Sequence, residues 1–448
     1  MNLLKIWHSR KFFITAAFLY ILFFALFAIG QKSKVPDLPI VVMQMLGMIM
    51  IVFFSFLYDR QSISKTLLLI VLFQLICCYG LRFFNIEYFE NPLGFDPQDA
   101  MGYHQHGSHI EKSFIAYLRY LDSIVQLDDY GFNLIVYFVY NLSGDPDMGV
   151  HLLVLFNVIA VTISSLFLYK LSNLYFEKKE SCFIAFFWGT ELYAVYTASI
   201  GLKENFMVMF VIIAIYYIMR VHKSLVSKDI IYAVLFSLPL LLFRTSVFYM
   251  LMCVLVYLLA LRLPLVKRHI YVFILIIAVL ATIYAYQAID ELALQQGYSY
   301  DMLQDFADRK VKKTGSLIYT LNYLASVIGP FPNFVAKELV KQNYITLYSF
   351  SSFCKVFYSF FMIYGIYGAF RRKHYEMIGV FLFWFLNTFM LLFTLFAQHD
   401  RYQWPHMPFT LVLACYGLMC WRDERHILKW DKLYFIFALL IILIFNLR

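Results

Sequence analysis

The chain has 448 residues, of which 62% are hydrophobic and only 15% charged, and it carries a net charge of +9. A soluble domain usually has about a quarter charged residues, so this chain lacks the polar surface to enclose a core in water, and the bilayer is its solvent. Its cations punctuate apolar segments and form no basic domain, which argues against nucleic-acid binding.

A basic N-terminal stretch ending at Lys11 precedes the apolar run 12–30. No small-residue cleavage site follows and the run is long enough to span, so it reads as a retained first helix. Further spans are expected at 38–58 and 66–86, and a long polar stretch follows at 87–147. Next come 148–169, 182–200 and 205–219, then a tight pair at 230–243 and 246–261 around Arg244, and 270–288. After a second polar stretch at 289–346, the last spans are 347–370, 377–397, 405–421 and 433–447. The expected fold is all-α, a polytopic transmembrane helical bundle of about thirteen helices. Residues 1–448 then form one transmembrane domain: two helices in 1–65, a core at 66–421 and a C-terminal helix in 422–448.

Orientation follows from the cations. Lys5, Arg10, Lys11, Arg60, Lys65, Lys178, Lys179, Arg220, Arg371 and Arg422 fall in short segments on one side. That side is expected to be cytoplasmic, with the N-terminus inside and the loops 87–147 and 289–346 outside. All seven cysteines sit in apolar segments and read as packing residues. Two stretches of the first outer loop, 108–127 and 132–142, have the spacing of helices lying in the membrane plane. Packing against the protein is the equal alternative.

The first outer loop also holds most of the candidate chemistry. Asp96, Asp99, His104 and His106 cluster just beyond the third span, with Tyr103 among them. A carboxylate at a bilayer surface can act as general base towards a sugar hydroxyl, and the histidines and acids could instead hold a divalent metal. A polar loop beside a membrane also needs no function. Lys203 and Glu204 lie in a short outer turn, Arg244 interrupts two apolar runs, and His399 and Arg401 lie in a late outer turn. Arg309 and Lys310 open a cationic run in the second outer loop. Such cations can bind a phosphate head group or simply be solvated. Arg82 is expected to snorkel, and Glu191, mid-span, needs a partner.

From Asp99 to Tyr103 the chain resembles the GT-C superfamily of polyprenol-dependent membrane glycosyltransferases, especially bacterial relatives of the protein mannosyltransferases. In that family an acid followed by Tyr comes after a transmembrane helix, and Asp99 and Tyr103 fit. The order of later features agrees: Tyr130 to Leu134, Gly144, Ser199 to Glu204, and Asp400 to Pro408. Here the acid follows the third expected span, as if two helices were added in front, and no side-by-side acid pair is evident at this position.

The resemblance implies a glycosyltransferase of the bacterial inner membrane serving cell-surface polysaccharide or glycoconjugate synthesis. Its partners would be a polyprenyl-phosphate-linked sugar donor, a glycan or glycolipid acceptor and membrane lipid. Asp99 or Asp96 would be the catalytic base. Tyr103, His104, His106, Lys203, Glu204, Arg244, Arg309, Lys310, His399 and Arg401 would bind substrate. Two alternatives are an oligosaccharide repeat-unit polymerase and a lipid-linked glycan flippase or transporter, the latter expecting broken helices and mid-membrane charge.

Overall fold

A helix needs an apolar run, a cap at its start and a stop at its end. The computed structural model supplies these along the residues it describes, which are 62–94, 98–108, 113–224, 226–261, 269, 272, 276, 279, 324–332, 349–393, 400–424 and 430–446. All regular structure among them is helical. Helix α1, Ile63–Phe89, starts at Ser62, whose hydroxyl accepts from the Lys65 amide, and ends at Glu90 in the left-handed region. Then come α2, Gln98–Ser108, α3, Phe114–Ile124, and α4, Leu127–Ser143, which stops at Gly144 with φ 71°. Helix α5, Pro146–Ser172, uses Asp145 as cap and proline in its first turn. Helices α6, Lys178–Gly189, α7, Leu192–Ile200, and α8, Glu204–Ser224, follow.

Helix α9, Ser227–Ser237, tightens into a 3₁₀ turn, Leu238–Leu242, where Pro239 removes a backbone donor. Helix α10 is Thr245–Ala260. Later in the chain lie α11, Ser349–Arg371, and α12, Tyr375–Phe393. A helical turn, Asp400–Gln403, and a 3₁₀ turn, Trp404–His406, then lead into α13, Met407–Glu424, and α14 is Trp430–Asn446.

Five of these helices are long and apolar enough to cross a membrane: α1, α5, α8, α11 and α12, the last counted over Tyr375–Leu392. The expected spans 12–30 and 38–58 lie outside the described residues, and 270–288 almost wholly so. The single span expected at 182–200 is instead two helices, α6 and α7, parted at Thr190 and Glu191. The candidate acid stretch, read as loop, is helical from Gln98 onward. The expected in-plane helix 108–127 is the shorter α3. Its inner face buries Tyr117 and Leu121, and Tyr117 stacks on Tyr137 of α4 at 4.0 Å between ring centroids. Its outer face leaves Phe114 and Ile115 exposed, so α3 has a protein-facing side and an uncovered apolar side.

The chain divides into two compact units. The first comprises Met1–Arg220, Leu225–Tyr249 and Pro332–Cys354; the second comprises Val221–Ser224, Met250–Phe331 and Lys355–Arg448. In the first, α5 packs on α1, α4 and α6, and α2 packs on α4. Glycines permit the close approaches. A Cβ on Gly131 of α4 would lie 2.5 Å from the Phe243 ring. In the second unit α11 and α13 touch backbone to backbone: a Cβ on Gly417 would lie 1.7 Å from the Phe361 carbonyl oxygen, and one on Gly365 2.2 Å from that of Leu413. All seven cysteines are free, and none is exposed.

Candidate active site

Helix α2 places its polar residues by the helical period. Asp99 and Tyr103 are four residues apart and so share a face. Asp99 lies exposed in the first turn, where the helix dipole favours a carboxylate. Tyr103 is buried, sets its ring edge-on to Phe132 and donates its hydroxyl to Asp129 Oδ1 at 2.8 Å. The two histidines turn elsewhere. His104 Nδ1 lies 2.9 Å from the Tyr140 hydroxyl, and His106 Nδ1 lies 3.2 Å from Asn133 Oδ1. Both contacts fasten α2 to α4. Burial holds the His104 pKa below its ordinary value, with Asp147 pulling it up and Arg82 pushing it down.

Lys203 is the hub of the first unit. Helix α7 ends at Gly201 with φ 74°, a conformation natural to glycine, and this turn brings Lys203 beneath the start of α4. The buried ammonium donates to the Asp129 carboxylate, to the Asp128 carbonyl at 3.0 Å and to the Phe243 carbonyl at 3.1 Å. Its three donors therefore all meet protein acceptors. Burial pulls the Lys203 pKa down, Asp129 and Glu204 oppose this, and the neighbouring Arg244 charge adds to it. The Asp128 carboxylate accepts from the Thr245 amide at 3.1 Å and from the Thr245 hydroxyl. One acidic pair, Asp128 and Asp129, thus ties α4 to the turns before α8 and α10.

The structure therefore gathers Tyr103, Lys203, Glu204 and Arg244 around a side-by-side acid pair. Sequence reasoning passed over Asp128 and Asp129. The signal was present: two adjacent carboxylates directly before an apolar helical run, in its first turn. Arg82 also differs from expectation. It does not snorkel but is 1% exposed, with Nη1 donating to the Ser199 carbonyl at 3.2 Å. Glu191 is buried at the break between α6 and α7.

The second unit holds a separate buried polar cluster. Lys355 of α11 donates to Gln403 Oε1 at 2.9 Å, and Gln403 Nε2 donates to the Ala325 carbonyl at 3.3 Å. Asn387 Nδ2 donates to the Tyr402 carbonyl at 3.3 Å and approaches His406 Nδ1 at 2.6 Å. Arg401 is half-buried in the same turn. Lys355 and His406 were not among the expected residues. Lys355, a lone cation inside an apolar run, was the discoverable signal.

Asp96, Arg309, Lys310 and His399 lie outside the described residues. Among the described residues no group of three or more His, Cys, Asp or Glu side chains is arranged to hold a metal ion.

Residues 131–286 match the family model described as dolichyl-phosphate-mannose-protein mannosyltransferase, a GT-C-type glycosyltransferase domain. The resemblance read from the sequence is thus found again over about a third of the chain. The matched segment starts in α4, just after the acid pair, and contains Lys203, Glu204 and Arg244. Neither the curated proteins nor the solved structures include a match to the chain.

Proposed function

We propose that the protein is a membrane glycosyltransferase. It transfers a sugar from a polyprenyl-phosphate-linked donor to a glycan or glycolipid acceptor at the outer face of the cytoplasmic membrane, in cell-surface polysaccharide synthesis. The observation that carries this reading is the convergence of α2, α4 and the turns before α8 and α10 on one charged network, beside the face of α2 that bears Asp99.

In the proposed step Asp99 accepts the proton of the acceptor hydroxyl as that oxygen attacks the anomeric carbon. The bond from the anomeric carbon to the phosphate oxygen breaks, its electron pair leaves with the polyprenyl phosphate, and the anomer inverts. Asp99 suits the role because it is exposed. Asp129 suits it less, since its Oδ1 already accepts from Lys203 and Tyr103. Lys203 is a positioning residue, and Arg244 is the cation assigned to the charge that develops on the leaving phosphate. Asp96, Arg309, Lys310 and His399 need not enter the step.

The test is transfer of radiolabelled sugar from polyprenyl-phosphate donors in proteoliposomes. Wild type should transfer one sugar per acceptor, and Asp99→Asn should lose the activity by about 100-fold or more. Full activity in a folded Asp99→Asn protein removes Asp99 from the role. Growth of the product by whole repeats indicates a polymerase.

The break at Thr190 and Glu191 favours a second reading, a carrier for lipid-linked glycan, because interrupted helices with a buried carboxylate suit transport. Translocation of labelled lipid without transfer in the same vesicles would select it.

A further inference from the structure

The guanidinium of Arg82 points to a second element of the same site. Arg82 lies seven residues before the end of α1, about 10 Å below that end at 1.5 Å per residue. It is 1% exposed, and among the described residues no carboxylate pairs with it. Only Nη1 is engaged, by the Ser199 carbonyl at 3.2 Å; Nε and Nη2 make no hydrogen bond.

Those two nitrogens are not a random pair. Nη2 lies on the side of the guanidinium away from Cδ, so one of its hydrogens points the same way as that of Nε. Together they form the side-on fork that grips two oxygens of a carboxylate or phosphate. The Ser199 bond fixes the plane of the group and leaves that fork buried and unpartnered. A guanidinium stays charged, and burying it without a counter-ion is strongly unfavourable. Around it stand Tyr79, His104, Tyr140 and His151, all within reach of its charge; the Asp147 carboxylate also acts on the last three but makes no ion pair with Arg82. Neither the tyrosines nor the histidines are anions at neutral pH in this setting. The partner that such a fork takes is an oxyanion.

We propose that Arg82 is an oxyanion site in which the unpartnered Nε and Nη2 fork receives a phosphate group, under the face of α2 that carries His104. Resting on the transferase reading above, its occupant is the phosphate of the polyprenyl carrier, with the isoprenoid tail leaving towards lipid. Free phosphate has the same chemistry and is the other source.

The experiment measures thermal stabilisation of the full detergent-solubilised chain by polyprenyl phosphate and, separately, by inorganic phosphate. Polyprenyl phosphate should stabilise wild type and Asp99→Asn alike. Arg82→Lys, which keeps the charge but loses the fork, should bind at least tenfold more weakly, and Arg82→Met should show no stabilisation. Arg82-dependent stabilisation by inorganic phosphate alone upholds the site and assigns it to the free ion. Equal binding by wild type and Arg82→Met overturns it. Should Arg82→Met fail to fold, Arg82→Lys decides: stabilisation by polyprenyl phosphate equal to that of wild type overturns the proposal. Binding through Arg82 in a protein with no transfer activity leaves this site standing and removes the transferase reading. Transfer by Arg82→Met with unchanged KM does the reverse.

Discussion

His104 illustrates how one residue can couple proton concentration to the site. Its pKa in the folded protein lies below the ordinary 6.5, chiefly through burial. A depressed folded pKa means that the neutral ring is the form the fold prefers. Its contribution is therefore full above about pH 6.5 and is lost as the pH falls through the lower folded value. Transfer activity and thermal stability should both decline on acidification from neutrality, and His104→Gln, which keeps a polar partner for Tyr140, should flatten that decline. A pH series on the two proteins measures this. Lys203 makes a second residue-scale prediction. Its ammonium meets three protein acceptors, so Lys203→Met should unfasten α4 from two turns and leave acceptors buried without donors. We expect a loss of about 3 kcal/mol or more, read by thermal unfolding in detergent. Tyr103 and Lys203 were legible in the sequence, the one in the first outer loop and the other in a short outer turn. Their common partner Asp129 was passed over despite its place in an adjacent acid pair, because it lies in what reads as a linker between two amphipathic stretches. Only the folded chain brings it within reach of Lys203, 74 positions away.

At the scale of elements, apolar length gave the long helices well. The expected span at 66–86 is α1, Ile63–Phe89, and the one at 148–169 is α5, Pro146–Ser172; each is longer because capping residues extend it. The broken span was illegible for a physical reason. Hydropathy averages over Thr190 and Glu191, and neither residue removes a backbone donor as proline does, so no stop is signalled. Gly131 tests the packing of α4. Its missing Cβ leaves room for the Phe243 ring, so Gly131→Leu should cost about 1–3 kcal/mol through overpacking, measured by thermal unfolding. Gly201→Ala forces a side chain into the left-handed region and should cost about 1–2 kcal/mol. It should also reduce transfer more than its stability loss explains, because the turn it caps delivers Lys203.

For the whole molecule, composition alone decided the solvent, since 15% charged residues cannot clothe a chain of 448 residues in water. The helices of the described residues suit that solvent, because a backbone in lipid must satisfy its own hydrogen bonds and a helix does so within itself. The expected outer face for α2 rests on the cation count, and cysteine accessibility decides it. A cysteine replacing Gln105, which is exposed, should react with an impermeant maleimide added to intact cells. Protection there, with labelling only after lysis, reverses the assigned orientation.

The crossing of α11 and α13 has a mechanical consequence. Where Gly365 meets Gly417 no side chain lies between the two backbones, so there is no lubricating layer of rotamers along which one helix could slide past the other. The pair is a welded joint: any rearrangement of this unit must carry both helices as one rigid strut, with the bending done elsewhere in the chain.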